Sequence, residues 1–314
     1  MSYTTSSAVL LILFNREAFA QRLLAAVRAV RPARLFLAAD APRPHVPTDA
    51  ATCRQTWASV RDAIDWPCEV QTLQPARNIG PARFIPQAVD WMLTREECGI
   101  ILEEDCIPHP DFFRFCDELL GRYAAEDRVA MISGCQFVPA GWPCGGASYA
   151  AVRLSQIWGW ATWRRAWQHY DFEMKAWPEE RRRGLLQRIF ATRRDQRHWT
   201  DNFDHALEID SWDYQWCFAR WRRGQVGLVP ARNLVSNIGF GPEALHTKAA
   251  NHPVANLPAV GLDFPLRHPP ALQLDDALDA QFSRLLFCGG FTAWWNYQRD
   301  QRLARWLPWI FPPR

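Results

Sequence analysis

Gly99-Ile100-Ile101-Leu102-Glu103-Glu104-Asp105-Cys106-Ile107-Pro108 is a short apolar run that ends in three consecutive carboxylates and then meets a proline. Residues 99–102 read as a strand. A short apolar run bounded by a turn signal suits a strand covered on both faces. Like charges at one strand end repel, so they need either open water around them or a cation among them. A solvated acidic loop is the plain reading, since exposed acids are the rule. The sharper reading is a hard cation. Mg2+ and Mn2+ take oxygen ligands, often one or two carboxylates plus substrate phosphates, and Asp105 at the strand's end is the candidate ligand.

Outward from this strand the first half of the chain alternates strand and helix signals. Strands are expected at 8–14, 34–39, 68–73, 99–102 and 128–133, with helices at 18–30, 52–64, 81–94 and 110–123. Pro81 suits a first helical turn, and Asp111 is favoured in one. That alternation predicts an α/β fold with an open, mostly parallel twisted sheet and helices on both faces. The second half is less regular. Helical patterns fall at 155–170, 179–190 and 212–223, and short strands at 226–229 and 233–236. The expected organisation is a catalytic domain over 1–250, with a nucleotide-binding half at 1–135 and an acceptor half at 136–250. A proline-rich connector and an aromatic, basic C-terminal segment, expected to be helical, follow at 251–314.

Ligands of open α/β sheets bind outside the carboxyl ends of the strands. The residues that follow successive strands are Asn15 and Arg16, then Asp40, then Arg77 and Asn78, then Glu103, Glu104 and Asp105. Four polar groups at one rim suggest one site. Arginine suits a phosphate or a base edge, and Asp40 a ribose hydroxyl or base N–H. No G-x-G-x-x-G follows the first strand and no P-loop occurs, so neither a dinucleotide fingerprint nor a Walker motif is present.

The bulk numbers exclude other classes. The chain has 314 residues, enough for a proper core, and a net charge of +3, too small to argue for nucleic acid. Its basic side chains are almost all arginine. Nine cysteines, an odd number with no C-x-x-C pair, point to free thiols in a reducing compartment. The first apolar run is too short for a signal peptide or a membrane span. A cytoplasmic location is therefore expected.

The acid motif, with Pro110-Asp111-Phe112-Phe113 after it, resembles the metal-binding strand end of GT-A-fold glycosyltransferases. It is most similar to the inverting N-acetylglucosaminyltransferase of the first Golgi branching step and to related bacterial sugar transferases, over roughly residues 8–247. In that family the motif is E-D-D, so Glu104 departs from the pattern at its middle position. The resemblance implies Asp105 as ligand of Mn2+ or Mg2+, and Arg16 and Asp40 as holders of the nucleotide. Asn15, Arg77, Asn78, Glu103 and Glu104 complete the donor side. The segment 156–163, QIWGWATW, resembles the family's acceptor-side loop and brings in Trp158 and Trp160. Ser211-Trp212-Asp213-Tyr214-Gln215-Trp216 resembles the segment that carries the catalytic base. Tyr214 stands where a second acid would be, so Asp213 is the expected base, with Asp210 or Glu208 as fallbacks. Residues 233–247 resemble a loop that closes over the donor, with His246 at the metal or diphosphate.

Each assignment has a plain rival. Trp160, Trp163 and Trp167 share a helical face at i, i+3, i+7, a stripe that is more often core than sugar platform. Asp213 could simply cap a helix, and a lone histidine such as His246 is usually structural. The function implied by the resemblance is metal-dependent, inverting transfer of a hexosyl or N-acetylhexosaminyl group. The donor would be a nucleotide-diphosphate sugar, and the acceptor a hydroxyl of a glycan or lipid-linked glycan in bacterial cell-surface polysaccharide assembly. One alternative is a nucleotidyltransferase making nucleotide sugars, which would need a glycine-rich loop and lysine after the first strand. Residues 14–20 have neither. The other is a non-catalytic carbohydrate-binding or scaffold protein derived from a transferase. Residues 282–314 are rich in tryptophan and arginine with one acid, Asp300. They suit packing on the domain, a homodimer contact, or peripheral membrane contact at the inner face of the cytoplasmic membrane.

Overall fold

The computed structural model describes residues 3–138, 141–208, 211–240 and 254–287. β1 (Ala8–Leu13), β2 (Arg34–Ala39), β3 (Glu69–Leu73) and β4 (Cys98–Glu103) are joined through α1 (Glu17–Arg28), α2 (Asp49–Arg61) and α3 (Pro81–Leu93). A short β5 (Cys106–Pro108), α4 (Pro110–Arg122) and β6 (Val129–Ser133) follow. Further on come β7 (Tyr149–Val152), β8 (Trp160–Trp163), α5 (Arg164–Trp167), α6 (Trp177–Arg182), α7 (Leu185–Ile189) and α8 (Arg193–Asp204). The last elements are α9 (Asp213–Arg222), β9 (Val226–Pro230), β10 (Val235–Asn237) and α10 (Asp276–Phe287).

Eight strands form one sheet in the order β3-β2-β1-β4-β8-β6-β9-β7. β1, β2, β3, β4, β6 and β9 run parallel, and β8 and β7 run against their neighbours. The sheet is therefore mostly parallel, and helices cover both faces, as the resemblance to a GT-A-like fold implied. Alternation along each strand divides the core. Val9, Leu11, Ile100 and Leu102 pack toward α1 and α4, while Leu10, Ile12 and Ile101 pack toward α3 and α9. A third cluster, rich in aromatics, joins α6, α7, α8, α9 and α10 to β7 and β9.

Two expected helices are corrected. Residues 155–170 form a loop, then strand β8 and the single turn α5. Trp160-Ala-Thr-Trp163 inserts antiparallel between β4 and β6, so Trp160 and Trp163 point into opposite cores rather than along one stripe. A tryptophan spacing of three fits a helix in isolation. The free edges of β4 and β6 satisfy the backbone of 160–163 in an extended form instead. The expected helix at 179–190 is two short helices, broken at Gly184 with φ +70°. α8 escapes a reading by periodicity, since RRDQRHWTDNFD buries only Asp195, Trp199 and Phe203.

Candidate active site

Parallel strands end at one rim, where the ladder stops and loops present their polar groups. At that rim Glu104 is 3% exposed and accepts hydrogen bonds from the Phe14 backbone N–H at 2.7 Å and from Arg16 Nε at 2.6 Å. Arg16 Nη2 lies 3.0 Å from Asp105 Oδ2. One guanidinium thus straddles two of the three acids, which is what makes burial of Glu104 tolerable. Burial disfavours the charged guanidinium, but Asp105 and Glu104 outweigh it and raise its pKa. The extra methylene of Glu104 lets it reach back to the turn after β1. Arg16, expected at the nucleotide, is held against the acid motif.

Asp105 is covered from the other side. Its carbonyl accepts from the Ile238 N–H at 2.9 Å, just past β10. A Cβ built on Gly239 would stand 2.1 Å from Asp105 Oδ2, so only glycine lets the backbone pass the carboxylate this closely. Among the described residues no three His, Cys, Asp or Glu side chains converge as a ready metal shell. Asp105 with its glycine cradle fits a hard cation that draws the rest of its shell from phosphate and water. His246 and Asp210 lie outside the described residues.

Glu103 ends β4 on the α3 and α9 side. Its carboxyl is half-buried and pushed up to about 8, by burial first and then by the Asp105 carboxylate. Arg16 opposes the shift and Asp213 adds to it. Asp213 opens α9, is half-buried, and accepts a hydrogen bond from Ser211 Oγ. Burial raises the Tyr170 phenol, and Asp213 is the next contributor. Tyr170 donates to the Trp212 carbonyl at 3.2 Å. Asp213 therefore sits in electrostatic reach of both Glu103 and Tyr170. Glu208 is exposed at the end of a single turn, Ala206–Glu208, that buries Ala206.

Asp40 is 7% exposed, and its carboxylate accepts from Asn78 Nδ2 at 3.0 Å and from the N–H groups of Ala41 (2.8 Å), Ile79 (3.2 Å) and Gly80 (2.9 Å). Asp40 and Asn78 are brought together as expected, but to fasten the loop before α3. Arg77 is exposed beside them. Asn15 donates to Asp49 Oδ1 at 3.0 Å. Asp49 also takes Arg43 Nε at 2.6 Å and Nη2 at 3.0 Å.

On the acceptor side Trp158 is half-buried against Phe137 and Phe240, with ring centroids 5.2 Å and 5.3 Å away. Trp160 has no exposed surface and stacks on Trp212 at 5.5 Å, inside the core. Arg43, Asp49 and Tyr170 are site residues that the sequence reading missed. Nothing local marks them, although Asp49 does open a helix, where an acid is favoured.

No protein-family model matches this chain, and no curated protein matches it. Among solved structures it is similar to HddC from Yersinia pseudotuberculosis, at 10% identity and TM-score 0.31, over 51% of this chain and 77% of that one. It is similar to a UDP-glucose pyrophosphorylase complexed with UDP-glucose, at 8% identity and TM-score 0.36, over 74% of this chain and 93% of the other. It is also similar to mouse xyloside xylosyltransferase 1 in its apo form, at 11% identity and TM-score 0.36, over 70% and 81%. These are distant likenesses and say nothing of what this chain binds.

Proposed function

We propose that this protein is a glycosyltransferase that moves a hexosyl or N-acetylhexosaminyl group from a nucleotide-diphosphate sugar to an acceptor hydroxyl, with inversion. The observation that carries the reading is the convergence at one rim. The acid motif, Arg16 and the loops at Asn15 and Asp40–Asn78 come together there, with Asp213 brought to Glu103 from α9. Asp105 fits a Mg2+ or Mn2+, which would supply the cationic partner of a donor diphosphate and Lewis-acid neutralisation of the leaving group.

In this reading Asp213 accepts the proton of the acceptor hydroxyl as its oxygen bonds to the anomeric carbon. The bond from that carbon to the diphosphate breaks, and the nucleoside diphosphate leaves with the electron pair. Ser211 holds one Asp213 oxygen, and the other, with no hydrogen-bond partner among the described residues, is the acceptor of the proton. Trp158 lines the acceptor side. A glycan or lipid-linked glycan of a bacterial surface is the proposed acceptor. The tryptophan- and arginine-rich sequence beyond α10 suits contact with an anionic membrane surface. No helix of the described residues is long and apolar enough to cross a membrane.

The test is a thermal-shift panel of UDP, GDP, dTDP, CDP and CMP, each with and without Mn2+. A ligand at 100 times its Kd adds about 2.7 kcal/mol of stability. One diphosphate should stand out and need the metal, and its sugar conjugate should be slowly hydrolysed. A panel with no metal-dependent shift rejects the reading.

A further inference from the structure

Asp40, the side chain expected at the base, has no capacity left for one. An ionised carboxylate offers about four lone-pair sites. Those of Asp40 are taken by Ala41, Asn78, Ile79 and Gly80. Arg16 is likewise committed to Glu104 and Asp105. Arg43 lies in the same loop, three residues past Asp40, and is built differently. Its Nε and Nη2 form a fork on Asp49, at 2.6 Å and 3.0 Å. Asp49 is 1% exposed and is itself held by Asn15. Arg43 Cζ lies over the Phe14 ring, 5.3 Å from its centroid, and the Phe14 N–H anchors Glu104 of the acid motif. Nη1 keeps both of its N–H groups without a partner among the described residues, on a side chain 31% exposed.

We infer that Arg43, fixed by Asp49, is the residue that recognises the nucleobase of the donor. The inference rests on the reading of this rim as a nucleotide-sugar site. A guanidinium presents paired N–H donors that read acceptor edges, such as a base carbonyl or the O6/N7 edge of guanine. Its charge is already balanced by a buried aspartate, which makes it a poor phosphate anchor and suits it to a neutral polar edge. The fork and the aromatic contact hold it in place before the ligand arrives, so little ordering remains to be done on binding.

The experiment compares two ligands by calorimetry with Mn2+ present: the nucleoside diphosphate that shifts the wild type most, and inorganic pyrophosphate. Arg43→Ala is expected to weaken the nucleotide about tenfold or more, the scale of a hydrogen bond to a charged group. Pyrophosphate affinity should stay within about twofold. Asp49→Asn should show the same split in smaller measure, through loosening of Arg43. Arg43→Gln, which shortens the reach but keeps a polar head, serves if Arg43→Ala does not fold, and must show the split too. Unchanged nucleotide affinity in the arginine variants overturns the inference and leaves the transferase reading standing, as does an equal loss of pyrophosphate. A wild type that binds pyrophosphate but no nucleoside diphosphate removes the transferase reading and this inference with it.

Discussion

Asp40 and Asn78 meet across 38 positions of sequence, with Asn78 Nδ2 3.0 Å from Asp40 Oδ2, and together they tie the end of β2 to the loop that starts α3. Gly80, at φ +77°, is part of that loop and donates to the same carboxylate. The carboxylate thus stands in for a backbone acceptor at a helix start.

Asp40→Asn therefore tests whether the residue is an anchor or a ligand contact. The amide replaces one acceptor oxygen with a donor that faces other donors. We expect a loss of about 1–3 kcal/mol in urea unfolding. Full stability together with lost nucleotide affinity would make Asp40 a ligand contact instead.

Asp105→Ala should abolish turnover and the Mn2+-dependent part of the nucleotide thermal shift, with the melting temperature of the unliganded protein little changed. Arg16 retains Glu104 as a partner at 2.6 Å in the variant. A shift that still depends on Mn2+ would show that another side chain holds the metal.

Asp213→Asn keeps shape and removes basicity. Donor affinity should remain near that of the wild type, while turnover falls by about 10²–10⁴, the usual span for a lost general base. Glu208→Gln should retain activity. If Glu208→Gln is the inactive variant, the base is Glu208.

His198, on α8, is mostly buried. Burial holds its pKa down to about 4 from an ordinary 6.5, with Asp195 opposing and Arg194 adding. The unfolded chain binds the proton more readily, so stability is complete above about pH 6.5 and declines as pH falls toward 4. Partial exposure reduces the effect, which we put at about 2 kcal/mol. His198→Gln should flatten unfolding free energy between pH 6.5 and 4 by that amount. An unchanged slope in the variant would assign the acid sensitivity to other groups.

The sequence by itself determined the alternation of strands and helices through β6 apart from the short β5, the mostly parallel sheet, and the rim to which Asn15, Arg16, Asp40, Asn78 and Glu103–Asp105 belong. Those features follow from local periods and from where each apolar run stops, which neighbours in sequence dictate. Only the tertiary structure decided that Trp160 lies in a strand. Its backbone conformation depends on the free edges of β4 and β6, and Ile101 and Ser133, the residues it pairs with there, lie far away in sequence. The same holds for the partners of the charged groups. Glu104 reaches Arg16 across 88 positions, and Asp49 reaches Asn15 across 34. A buried charge must find a counter-charge or donors wherever packing brings them. Which acid is free to meet a ligand and which is spent on the fold was therefore decided in three dimensions.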